Sequence, residues 1–190
     1  MSSYSAAMES KVGRPRSERA REAVLHAVDD LLVEVGYAAV TMKGIAERAS
    51  VSRQTVYRWW STKAEILLEA SATDAEDELA ITPTGDPLDD LTTYLQALIN
   101  FLAHSHAGSA YRALIGEAQH DPDVAKLLAD KDVLGDSARV VIARAVPACD
   151  TPQALEFATA RLIGPTFFAI MSGRDPRQLD PQALARTFLA

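Results

Sequence analysis

Four times in this chain a side chain that can cap a helix stands directly before a proline: Asp86-Pro87, Asp121-Pro122, Thr151-Pro152 and Asp180-Pro181. The N–H that proline lacks has no partner at the first helical position anyway. The oxygen of the preceding Asp or Thr accepts from the amides left free there. A segment with apolar residues at three- and four-residue steps follows each pair. The second half of the chain is therefore cut into helices at defined points. No stretch shows the two-residue alternation of a half-buried strand. The expected fold class is all-α, with about nine helices and no internal repeat.

The first third follows the same logic with weaker punctuation. Residues 1–12 are small and polar without a period, and Gly13-Arg14-Pro15-Arg16 is not expected to be helical throughout. Residues 1–16 thus read as a flexible basic arm carrying Arg14 and Arg16. From Ser17, the residues Ala20, Ala23, Val24, Ala27, Val28, Leu31, Leu32 and Val35 mark an amphipathic helix that Gly36 ends. Thr41 is placed to cap a second helix reaching about Ala49. Ser50-Val51 makes a tight turn, and Ser52 caps a third helix ending near Trp59 or Trp60. Thr62-Lys63-Ala64-Glu65 has the form of a capping box for a fourth helix reaching about Ala80. A further helix is expected over Ser109 to Gln119. The division is an arm (1–16), a three-helix module (17–63) and a larger helical bundle (64–190).

Charge separates the same regions. The whole chain carries a net charge of −7, yet residues 1–63 carry +3 and residues 64–190 carry −10. A polyanion is attracted to the first third and repelled by the rest. The N-terminus lacks the basic-then-apolar pattern of a signal peptide, and no run of about 18 apolar residues suggests a membrane span. The single cysteine, Cys149, suits a reducing cytoplasm. No phosphate loop, GxGxxG, HExxH, Ser/His/Asp or Cys/His set is present, so neither an enzyme nor a cofactor is expected. His104 and His106 stand two apart, point away from each other on a helix and lack further ligands, so no metal site is expected.

The stretch TMKGIAERASVSRQTVYRWWSTKAEIL, from Thr41 to Leu67, has what reading double-stranded DNA requires. Ser52, Arg53, Gln54 and Thr55 occupy the first turn of the third helix, where short hydrogen-bonding side chains reach base edges in a major groove. Thr41, Tyr57 and Lys63 are placed to donate to phosphates. Ile45, Ala46, Val51, Val56 and Trp60 are the residues that lock the helices together.

In order and spacing, Thr41-x-x-x-Ile45-Ala46, Val51-Ser52, Thr55-Val56-Tyr57, Trp60, Lys63 and Leu67 resemble the TetR family of bacterial regulators. The resemblance covers about 50 residues, helix one included. It implies that Thr41, Lys43, Arg53, Gln54, Thr55, Tyr57, Trp59 and Lys63 touch DNA. Two positions depart from the family pattern: Ser50 stands where glycine is usual in the turn, and Trp60 where phenylalanine is usual. Arg14 and Arg16, on the arm, are candidates for minor-groove or phosphate contacts.

The resemblance also implies a homodimer and a small-molecule effector. The segment Pro152 to Met171 is apolar on nearly all sides, as a helix with a second apolar partner would be. Leu155, Ala158, Leu162, Ile163, Phe168 and Met171, with Leu184 and Phe188 from the last helix, are the expected seam, and Gly164-Pro165 is an expected kink. Tyr94, Phe101, His104, Tyr111 and Phe167 lie on inward faces, as plain core or as pocket lining. The expected function is sequence-specific transcription regulation in the cytoplasm, with a repressor released from a palindromic operator by its ligand; activation remains open.

Overall fold

The computed structural model describes residues 13–190 apart from 148 and 150, and side chains from residue 18 onward. Every regular element among the described residues is helical. The chain forms two compact units, Met1–Ile66 and Leu67–Ala190.

The first unit holds α1 (Gly13–Val35), a 3-10 turn (Tyr37–Ala39), α2 (Met42–Arg48), α3 (Arg53–Tyr57) and the start of α4 (Lys63–Glu78). Helix α1 begins four residues earlier than the sequence suggests. Pro15 falls in its first turn, where a missing N–H costs nothing. The backbone of Arg14 and Arg16 is thus helical, not part of an arm. Their side chains, and the expected lead of residues 1–12, lie outside the described residues. Gly36, at φ 72°, ends α1. Helix α1 packs against α2 and α3. Val24, Val28, Ile45, Val56 and Trp60 are all buried, so Trp60 is accommodated where the family usually has a smaller ring.

The second unit comprises the rest of α4, then α5 (Pro87–His104), α6 (His106–Ala118), α7 (Pro122–Asp130), α8 (Val133–Ala145), α9 (Pro152–Met171) and α10 (Pro181–Leu189). All four Asx/Thr-Pro pairs start helices as expected, and Asp86, Asp121, Thr151 and Asp180 each accept from an amide two or three residues on. Helix α5 is the central element and packs against α6, α8, α9 and α10. Leu91, Leu95, Leu98, Phe101 and Leu102 on it are wholly buried, each stabilising the unit by about 1.5–3 kcal/mol. Helix α6 starts three residues before the expected Ser109, because Ser105 caps it. The Ser71 hydroxyl donates to the Ala107 carbonyl (3.1 Å), and the Ser105 hydroxyl donates to Glu78 (2.7 Å), which ties α4 to the start of α6.

Helix α9 is long and apolar enough, by length and composition, to cross a membrane. It continues through Gly164 and Pro165 and buries Ala158, Leu162, Thr166, Ala169 and Ile170 while packing against α5, α8 and α10. That makes it a bundle helix with one free side.

Candidate functional site

The first unit presents an exposed polar surface built on capped, short helices. The Thr41 hydroxyl accepts from the Gly44 amide (3.1 Å), and the Ser52 hydroxyl accepts from the Thr55 amide (3.0 Å). Ser52 and Thr55 also share a hydroxyl–hydroxyl bond of 2.9 Å. Ser50, between α2 and α3, adopts φ 54°. This is the left-handed conformation that glycine enters freely and serine does not, at a cost of about 1 kcal/mol. The turn therefore adopts a glycine-like conformation at a serine.

This arrangement leaves Arg53, Gln54 and Tyr57 exposed on α3, with Val56 buried beneath them. Thr55 is half-buried because its hydroxyl supports the cap. Lys43 is exposed and forms an ion pair with Glu47 at 3.6 Å, a solvated contact that contributes little to stability. Arg48, at the end of α2, bonds both Glu34 and Asp30 on α1. Its guanidinium holds the Glu34 carboxyl below the usual carboxylate range, first through their hydrogen bonds. The pair fastens the supporting helix to its base and offsets two acidic charges.

Among the cations that rest on aromatic rings, two stand close to their rings in the first unit. Lys63 Nζ stands 4.5 Å from the centre of the Tyr37 ring, and the Arg58 guanidinium 4.6 Å from that of Trp59. A ring face attracts a cation electrostatically and narrows where it can point. Lys63 and Trp59 are half-buried for this reason. Sequence reading missed Tyr37 and Arg58. Tyr37 lies 26 positions from Lys63, and no local pattern signals the approach. The cap on α4 also differs in detail from a standard box: Thr62 accepts from the Glu65 amide, but Glu65 reaches back to the Ser61 amide at 2.7 Å.

In the second unit a cavity of about 380 Å³ opens between α4, residues 79–81 and α8. None of Tyr94, Phe101, His104, Tyr111 and Phe167 lines it. Tyr94, Phe101 and Tyr111 are packed into the core, Phe167 is half-buried and His104 is exposed. The cause is volume. Large rings fill the space they face, whereas the cavity wall is made of small residues such as Ala72, Ala75 and Val141. Tyr94 approaches it only through Ser137, a lining residue whose hydroxyl lies 3.0 Å from the phenol oxygen. Burial pushes the Tyr94 and Tyr111 phenols up to about 12.

The residues expected at a seam differ in exposure. Ala158, Leu162 and Phe188 are buried within the subunit, because α9 and α10 both pack on α5. Those three offer no surface to a partner. Leu155, Ile163 and Leu184 are half-buried, and Phe168 and Met171 are exposed. Phe157, another apolar residue of this helix, is 68% exposed and Phe168 is 61% exposed. At helical spacing Phe157, Gly164, Phe168 and Met171 lie along one side of α9.

Comparison with known proteins agrees with this architecture. Residues 24–70 match the model of bacterial regulatory proteins of the tetR family, and residues 81–188 match that of the tetracyclin repressor-like C-terminal domain. The chain is 43% identical over 119 residues to the uncharacterized HTH-type transcriptional regulator YdeS of Bacillus subtilis, covering 63% of this chain and 60% of YdeS. The match thus spans less than two thirds of that relative. The crystal structure of the TetR family transcription regulator SCO0332 superposes with a TM-score of 0.72 at 28% identity, over 90% of this chain and 97% of that one. Thermus thermophilus FadR, a TetR-family transcriptional repressor in complex with lauroyl-CoA, shares the fold with a TM-score of 0.64 at 20% identity, over 89% and 91% of the two chains. The chain belongs to the TetR family of bacterial regulatory proteins, with the family's N-terminal unit followed by a tetracyclin repressor-like C-terminal domain. That family is one of regulators, not of enzymes.

Proposed function

We propose that this protein is a cytoplasmic repressor that binds a palindromic operator as a homodimer and leaves it when a small molecule occupies the second unit. The observation that carries the reading is the exposed first turn of α3. Arg53 and Gln54 project from a helix whose start is capped by Ser52 and whose inner face is locked by Val56. In this reading Arg53, Gln54 and Thr55 read bases. Thr41, Lys43, Ser52, Tyr57, Trp59 and Lys63 position the protein on phosphates, with Arg14 and Arg16 as further candidates. Two-fold symmetry sets recognition helices about 34–36 Å apart, or a multiple of that, and requires an inverted repeat in the DNA.

The exposed strip of Phe157, Phe168 and Met171 on α9 supports the dimer, since a large apolar patch on a surface marks an interaction site. Helix α4 supports the gating, because the division between the units falls inside it, between Ile66 and Leu67. A ligand that prefers one placement of α4 shifts the population of DNA-competent dimers, and DNA weakens ligand binding by the same factor. FadR combines repression with a bound ligand on the same fold.

Selection of bound fragments from genomic DNA tests the reading. The expected product is an inverted repeat, with Phe168→Glu abolishing both dimer sedimentation and binding. Recovery of fragments without any shared sequence would overturn it.

A further inference from the structure

The 380 Å³ cleft between α4 and α8 has a composition that specifies more than a hydrophobic ligand. Its volume is at the lower end of the range for small-molecule sites, about 300–1,000 Å³. Ala72, Ala75, Leu79, Val133 and Val141 are buried residues of its wall. Four charged residues also line it: Lys131, Arg144, Glu76 and Asp136. Asp136 is already committed, accepting from Arg139 at 2.9 Å. Neither the Lys131 nor the Arg144 side chain takes part in an ion pair or hydrogen bond among the described residues. The charge of Arg144 reaches Asp90, but that carboxylate accepts instead from the Thr84 amide and hydroxyl, both at 2.7 Å. The bond to Thr84 anchors the connection that carries Ile81 into the cleft wall. Two uncommitted cations therefore face one uncommitted acid, Glu76.

We propose that this cleft binds a small amphipathic carboxylate, with its apolar body against Ala75, Leu79 and Val140 and its carboxylate on Arg144. A guanidinium presents two parallel donors that match a carboxylate, which an ammonium does not. An alkylammonium meets repulsion from Lys131 and Arg144. A neutral alcohol fills the apolar wall but offers the guanidinium one uncharged acceptor in place of a carboxylate's two charged ones. The assignment rests on the ligand-release reading for its regulatory meaning, not for the binding itself.

Calorimetric titration of the full chain with octanoate, 1-octanol and octylammonium separates these cases. Octanoate is expected to bind roughly tenfold or more tightly than octanol, the scale of a charge-assisted hydrogen bond, and octylammonium more weakly still. Arg144→Ala, an exposed position, is expected to erase the advantage of octanoate over octanol. Val140→Trp, which fills the cleft from its half-exposed rim, is expected to weaken both. Equal binding of octanoate and octanol, an unchanged octanoate affinity in Arg144→Ala, or no binding of any probe would overturn the proposal. Operator binding measured alongside keeps the two readings apart. Octanoate binding that depends on Arg144 but leaves the operator occupied supports the cleft and sinks the gating. Release by octanoate that persists in both variants sinks the cleft and supports the gating.

Discussion

The two units hold their helices in different ways. In the first, α2 has seven residues and α3 five, too few to be stable alone. Their geometry depends on local ties: the Thr41 and Ser52 caps, the strained Ser50 turn and the Arg48 bonds to α1. In the second, α5 has eighteen residues and α9 twenty, and α5 is enclosed by four other helices. There the burial of large side chains dominates. On the proposed function, a surface that presents Arg53 and Gln54 at fixed angles needs directional contacts. A body that must keep a cavity between α4 and α8 needs bulk elsewhere, so that small residues line a void without collapse.

Four experiments sharpen or break this contrast. Phe101→Ala, at a fully buried ring on α5, is expected to destabilise the second unit by about 3–5 kcal/mol in denaturant melts; a loss below about 1 kcal/mol would show that bulk is not what holds the bundle. Alkaline pH acts on the same core. Burial raises the folded-state phenols of Tyr94 and Tyr111 to about 12 from 10. The neutral forms are favoured in the fold, so this stability is full below pH 10 and lost as pH rises toward 12. The slope is about 1.4 kcal/mol per pH unit for each tyrosine, and melts from pH 9 to 11 read it directly. In the first unit, Arg53→Ala is expected to cost about 1–3 kcal/mol on the preferred operator and to relax base choice. Tyr57→Ala should instead weaken all sequences alike, and binding to a panel of operator variants distinguishes the two. The smallest effect has the opposite sign. Ser50→Gly relieves the positive φ and is expected to stabilise the first unit by up to about 1 kcal/mol. A destabilised variant would mean that the Ser50 side chain is a tie in its own right.

Much of the fold was legible because its signals are local. A cap is a hydrogen bond spanning two or three residues, and Asp86, Asp121, Thr151 and Asp180 start their helices where the sequence places them. Ser105 and Asp132 do the same work without a following proline; the first start lies three residues before the expected one, and the second has no counterpart in the sequence reading. The reading motif was legible for the same reason. The exposed side of α9 and the place of the cavity were not. Apolar periodicity identifies Ala158, Leu162 and Phe168 as candidates of equal standing, although the packing of α9 on α5, α8 and α10 buries two of them and leaves the third exposed. Aromatic residues drew attention as pocket lining, yet a void forms where residues are small.

The amino-acid sequence alone thus determined an all-helical chain, most of its helix starts, the opposite charges of its two regions and the Thr41–Lys63 motif, since each depends on neighbours within a few positions or on composition. Tertiary structure decided which side of α9 stays free, where a cavity remains between α4 and α8, and that Lys63 lies over Tyr37. Those features are differences in volume and distance between elements far apart in the chain, and no short stretch of sequence encodes them.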